Sequence, residues 1–351
     1  MTFNHPARAP RRAVITLAAL ALSVSSTAWA QPLEAYLARA ERAVGVVTAS
    51  LDRADAERAL ARSEADPLAL RPELLQARQR AELAQAQADE ALFQAYADVA
   101  AAYAQVREAE LQVAIAGAGR ALAERGLEVA RLRFDRGSAT ALEVQGAETD
   151  LREAERGLNA ARDGLALARR NLVGITGLDL EATEPIARER LVSLEVPSDE
   201  ALAEAAGATA GVLQVRHGLA LAELQVELLD PSFAARSQID QARLQLDQAG
   251  AGADEALRGV TLLLRSRANA LASALEGDRI AQDALAQALE RESIELRRLD
   301  AGLISELAFE QAQLQTLQAE LRAVQAEHAL LAAALELQAD ARTPLEGWHG
   351  F

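Results

Sequence analysis

The sequence predicts an all-α protein: long antiparallel coiled-coil helical hairpins in two tandem structural repeats, with little or no β-structure. Three observations lead there. Half of the residues are apolar but only 3 % are aromatic; the apolar share is Ala and Leu mixed with Glu, Gln and Arg, the composition of long helices and coiled coils. The punctuation recurs in one register. "FDRGSATALE" (134–143) matches "LDAGLISELA" (299–308), so that Gly137 and Gly302 lie 165 apart, as do Pro32 and Pro197, while Asp66-Pro67 and Asp230-Pro231 lie 164 apart. Self-similarity at a fixed offset marks a duplicated architecture. Third, Val144, Ala147, Leu151, Ala154, Leu158, Ala161, Leu165, Ala168, Leu172 and Ile175 follow one another at alternating steps of three and four, a heptad seam.

Taken in order, residues 1–30 read as a secretory signal peptide. Arg8, Arg11 and Arg12 open it, "AVITLAALALSV" is its apolar stretch and "AWA" its small-residue cleavage site before Gln31. The apolar run is shorter than the roughly 20 residues that span a bilayer. The first repeat covers 31–177. A helix over 33–64 stops at Asp66-Pro67, because proline lacks an N–H and turns the preceding residue away from helix. A very long helical pattern over 73–135 follows and closes at Gly137, which supplies the left-handed cap. A returning helix over 139–176 carries the seam. Residues 178–196, with Pro185 and several acids, form a non-periodic linker. The second repeat, 197–340, repeats the plan with helices over 198–229, 238–300 and 304–340. Its last helix carries a seam of Leu307, Leu314, Leu317, Leu321, Val324, Leu331 and Leu335, interrupted by Glu310 and His328. Residues 341–351 are a short tail.

Composition also excludes function classes. The chain has no Cys, hence no disulfide framework, no thiolate chemistry and no lipid-bearing cysteine at Gln31. It has no Lys, and the formal charge of −16 becomes −19 once the three signal arginines are removed. Such a surface repels nucleic-acid phosphates. His217, His328 and His349 are scattered with no metal-ligand spacing, and "GAG" at 117–119 lies inside a helical run, away from any strand–helix phosphate cradle. No enzyme, metal site or cofactor is expected.

A long helix, an Asp-x-Gly turn, small or hydroxyl residues and a Leu-rich returning helix closing at "GITG" together resemble the TolC-like outer-membrane factor family. Both copies carry the pattern, in "RFDRGSATALEVQGAETDL" and "RLDAGLISELAFEQAQL". The resemblance implies a homotrimer enclosing a helical tunnel across the periplasm, as part of an efflux or type I secretion system driven by a partner pump. Its hairpin tips would meet a periplasmic adaptor tied to an inner-membrane pump, and its cargo would be small molecules or polypeptide. The tip motif falls on Asp135, Gly137, Ser138, Asp300, Gly302 and Ser305. The family commonly places acids just past these turns; here Glu143, Glu306 and Glu310 are the nearby candidates for a tunnel mouth. Two readings of the tips stay open: adaptor docking, or only capping and turning. Ser138, Thr140 and Ser305 are candidate caps of the returning helices.

The departure lies at the other end. The family inserts two membrane strands between the first and second helices of each copy, and a membrane strand needs about 9–11 residues. "EADPLALRPE" (64–73) and "DPSFAARSQ" (230–238) have no room for two, "PLALR" being at most one strand stub, and an open strand edge cannot sit in lipid. The β-barrel strands are therefore expected to be missing, and association with the outer membrane to be indirect. A rival function from another class is a coiled-coil structural scaffold of the cell envelope that transports nothing.

Overall fold

The computed structural model describes residues 33–178, 195–230 and 232–342. The expected signal peptide, most of the linker and nearly all of the tail lie outside the described residues. Eight α-helices and no strand occur among those described: α1 (Leu33–Ala40), α2 (Val44–Ala65), α3 (Arg71–Asp135), α4 (Ala141–Thr176), α5 (Asp199–Ala208), α6 (Ala210–Leu228), α7 (Arg236–Asp300) and α8 (Glu306–Ala341). "PLALR" is thus a turn leading into α3. No helix among the described residues is long and apolar enough to cross a membrane.

The two long segments are each one unbroken helix of 65 residues, about 98 Å at 1.5 Å per residue. Neither contains an internal proline, and Pro72 sits in the first turn of α3, where its missing N–H leaves no bond unmade. Each long helix is a rail flanked by shorter ones laid end to end. Along α3, α2 covers the half near Asp66 and α4 the half near Gly137; along α7, α6 and α8 do the same. The rails join through α8, which packs on both α3 and α7, so the tip half is a row of four helices in the order α4, α3, α8, α7.

The two first helices expected as single units are broken. The first splits into α1 and α2 at 41–43, and the second splits at Thr209, whose ψ of 147° leaves the helical region and whose hydroxyl donates to the Ala206 carbonyl. The break lets the leading short helix cross the middle of the rails while the next one runs along them. There the core forms. Tyr36 and Leu37 of α1, Val99, Tyr103 and Val106 of α3, Leu172 of α4, Leu202 and Ala206 of α5, Leu264 and Leu271 of α7, and Leu330, Leu331 and Leu335 of α8 make one buried cluster. The Tyr36 and Tyr103 rings meet at 5.4 Å in a tilted pair, the offset geometry that aromatic quadrupoles favour.

Candidate functional site

At the far end of the rails, the chain reverses twice in the same way. In the first hairpin Ser138 N–H donates to the Arg133 carbonyl at 2.8 Å and Gly137 N–H to that of Phe134 at 2.8 Å. In the second, Leu303 N–H donates to Arg298 and Gly302 N–H to Leu299, both at 2.8 Å. These paired bonds satisfy the orphan carbonyls of a helix end and require a left-handed residue. Gly137 and Gly302 supply it, with φ of 72° and 71°. Asp135 and Asp300 are the last helical residues before the turns, and both are exposed.

The caps of the returning helices are Thr140 and Ser305, which also lie 165 apart. Thr140 Oγ1 accepts from Glu143 N–H and Ser305 Oγ from Ala308 N–H. Ser138 instead donates its hydroxyl to the Arg133 carbonyl, closing the outgoing helix. Glu143 reaches back to the Thr140 N–H and hydroxyl; these two hydrogen bonds, the backbone one foremost, hold its carboxyl below the ordinary carboxylate range.

The other two acids are engaged as well. Arg125 of α3 reaches Glu306 with one guanidinium nitrogen at 2.5 Å and Glu310 with the other at 2.8 Å. Glu306 and Glu310 lie on α8, so this fork ties the two repeats together near the tips. The structure thus brings Glu306 and Glu310 to one cation and leaves Glu143 on its own hairpin. Arg125 is a residue that sequence reasoning missed; in "ALAERGLEV" nothing distinguishes it from other surface arginines.

Further down the same joint, His328 of α8 sits with Nδ1 2.9 Å from Glu108 of α3. It is buried, and burial lowers its affinity for a proton against the pull of Glu108, with Arg107 acting the same way as burial. The sequence marked His328 as a seam interruption; the interruption is a hydrogen-bonded contact between repeats.

At the opposite end, Asp66 and Asp230 make the same local hydrogen bond. Asp66 Oδ1 accepts from Leu68 N–H at 2.9 Å, and Asp230 Oδ1 from Ser232 N–H at 2.8 Å. Arg71 and Glu227 clamp the two loops together by a two-pronged pair at 2.9 and 3.0 Å. Among the described residues no group of three or more His, Asp or Glu has a geometry suited to a metal ion.

No family model matches the chain, and no curated protein does. Solved structures do. CusC, from a study of conformational changes accompanying folding and transmembrane channel formation, matches with a TM-score of 0.65 at 14 % identity, over 90 % of this chain and 96 % of that one. A membrane protein from Pseudomonas aeruginosa matches at 0.61 and 14 %, over 88 % and 93 %. The outer membrane protein VceC from Vibrio cholerae matches at 0.58 and 14 %, over 88 % and 95 %. With two long rails, Gly-turned hairpin tips and no strand among its described residues, the chain has the helical fold of the TolC-like outer-membrane channels.

Proposed function

We propose that the chain is a TolC-like outer-membrane-factor component of an efflux or type I secretion system. Three copies close into a periplasmic helical conduit, and a partner inner-membrane pump supplies the energy. The tips around Gly137 and Gly302 meet a periplasmic adaptor, and the exported cargo is small molecules or polypeptide. The chain acts at the periplasmic side of the outer membrane or in contact with it.

One observation carries this reading: the four-helix row is unclosed. Of the two inner helices, α8 exposes no large apolar side chain and α3 exposes Val129, Leu132 and Phe134, all in its last two turns beside the tip. α7, at one edge, exposes Leu244, Leu262, Leu263, Ile280, Leu289, Ile294 and Leu296, and α4, at the other, exposes Leu142, Leu167 and Ile175. Apolar side chains repeated along an edge helix mark a face that expects another helix. An edge α4 laid against the edge α7 of a neighbour makes a head-to-tail contact, which closes into a ring or runs on as a filament.

The test is cross-linking. The pairs Arg169–Glu110, His328–Glu108 and Thr316–Ala288 set the register across the row, and they bring Leu167 of α4 and Ile280 of α7 to about the same height. Each lies two residues from a position buried or half-buried in its own seam, hence on the opposite side of its helix. The double substitution Leu167→Cys with Ile280→Cys, oxidised in a chain otherwise free of cysteine, should give a ladder that stops at three. A ladder that continues, or none, favours the envelope scaffold, a reading that the two strand-free loops keep in play.

A further inference from the structure

We propose that the loop end of the molecule docks on a phospholipid bilayer surface, with Leu68, Leu70 and Phe233 entering the apolar layer and Arg62 and Arg236 meeting lipid phosphates. This rests on the reading of the chain as an exported envelope protein and adds a direct contact with membrane at the end where the strands are missing.

The two most exposed large apolar side chains among the described residues lie there. Phe233 is 90 % exposed and Leu68 84 %, with Leu70 at 63 %. These residues lie in the loops, beyond the ends of α2 and α6 and before the starts of α3 and α7. A second copy packed side by side covers helix flanks and leaves these points uncovered. They also act together, because the Arg71–Glu227 clamp holds one loop against the other. Both loops are short and tied by their aspartates, so the apolar points stand on a firm base and little ordering is needed on contact.

The charges at this end fit a phosphate-bearing surface although the chain as a whole is acidic. Every carboxylate from 62 to 73 and from 227 to 238 is engaged within the molecule. Glu64 accepts from Arg78, Asp66 from Leu68 N–H, Glu73 from Leu70 N–H, Glu227 from Arg71 and Asp230 from Ser232 N–H. The arginines of these stretches that form no ion pair among the described residues are Arg62 and Arg236, one beside each loop and both exposed. Apolar side chains flanked by uncommitted arginines are the pattern of interfacial binding, in which a few buried side chains plus attraction to headgroup phosphates give reversible attachment.

The absence of cysteine makes the test direct. Single Leu68→Cys, Phe233→Cys and Ser138→Cys chains, each carrying an environment-sensitive fluorophore, are mixed with vesicles of phosphatidylethanolamine and phosphatidylglycerol. Labels at 68 and 233 should shift to the blue, and the label at 138, on the opposite end, should not. Unlabelled Leu68→Ser with Phe233→Ser, both at solvent-facing positions, should lower vesicle partitioning by at least about tenfold with helix content and molar mass unchanged. Arg62→Glu with Arg236→Glu should weaken binding and flatten its salt dependence. The proposal is overturned if the protein does not float with vesicles, if the label at 138 shifts as much as those at 68 and 233, or if the double serine variant binds like the parent. Cross-linked rings without vesicle binding would sink this proposal and leave the conduit standing.

Discussion

At the residue scale, backbone geometry favours glycine at both tips, as it does at Gly177, which caps α4 with a φ of 67°. A side chain at a left-handed φ costs about 1–2 kcal/mol, so Gly137→Ala and Gly302→Ala should each destabilise by about that much in thermal unfolding. Gly164, in the interior of α4 with open space where a Cβ would go, should respond the other way, Gly164→Ala stabilising by about 1 kcal/mol. His328 sets a pH dependence. Its proton affinity is depressed by burial, so the unfolded chain binds the proton more readily than the folded one. The neutral-state stability is present above the ordinary value of 6.5 and is lost as pH falls below it. The unfolding midpoint should therefore drop between pH 7 and 5, and His328→Leu should shallow that drop. Glu143 acts in the carboxylate range, where its contribution holds above its ordinary 4.5 and disappears as pH falls further. The tip glycines were legible as punctuation because glycine takes a left-handed φ without the strain a side chain brings. The acids' partners were not, because a pair such as Arg125 with Glu306 spans 181 residues of sequence.

At the scale of elements, α4 shows how far periodicity reads and where it stops. Nine of the ten seam residues, Val144 to Leu172, are buried or half-buried, whereas Ile175 is exposed and Thr176 is buried in its place. A strict 3.5-residue repeat drifts by about 20° per heptad against a straight helix, and over the length of α4 that moves the inward position on by one residue. α8 was harder to read. Its expected leucines Leu307, Leu314, Leu317 and Leu321 are only half-buried, while Thr316, Ala319 and Ala323 are buried. The reason is its place in the row: a helix with neighbours on two sides buries two stripes, and where helices approach closely the small residues lie deepest. The break between α1 and α2 had no proline or cap to announce it. The seam itself is testable in stability measurements. Leu172, fully buried in the central cluster, should cost about 3 kcal/mol when changed to Ala. Leu167, on the opposite face and 63 % exposed, should cost less than about 0.5 kcal/mol as the isolated chain, and more wherever a neighbouring copy covers it.

At the scale of the whole molecule, the duplication explains the architecture. Each repeat alone is a rail with three shorter helices; the repeats join through α8 packing on α3, marked by Arg125 with Glu306 and Glu310 and by His328 with Glu108, and at the loop end through α6 on α3, where Arg71 holds Glu227. Weakening one clasp should loosen one end only. Arg125→Ala should speed amide exchange in the first turns of α8 while leaving the central cluster protected, as measured by hydrogen exchange. The row's two edges, α4 and α7, leave large aliphatic side chains in water in a single copy. The proposed ring of three copies would cover them. The measurement that bears most directly on this is the molar mass of residues 31–351 by size-exclusion chromatography with light scattering, in buffer without detergent. A closed ring of copies gives a soluble particle of three chain masses; a soluble monomer or dimer would contradict it.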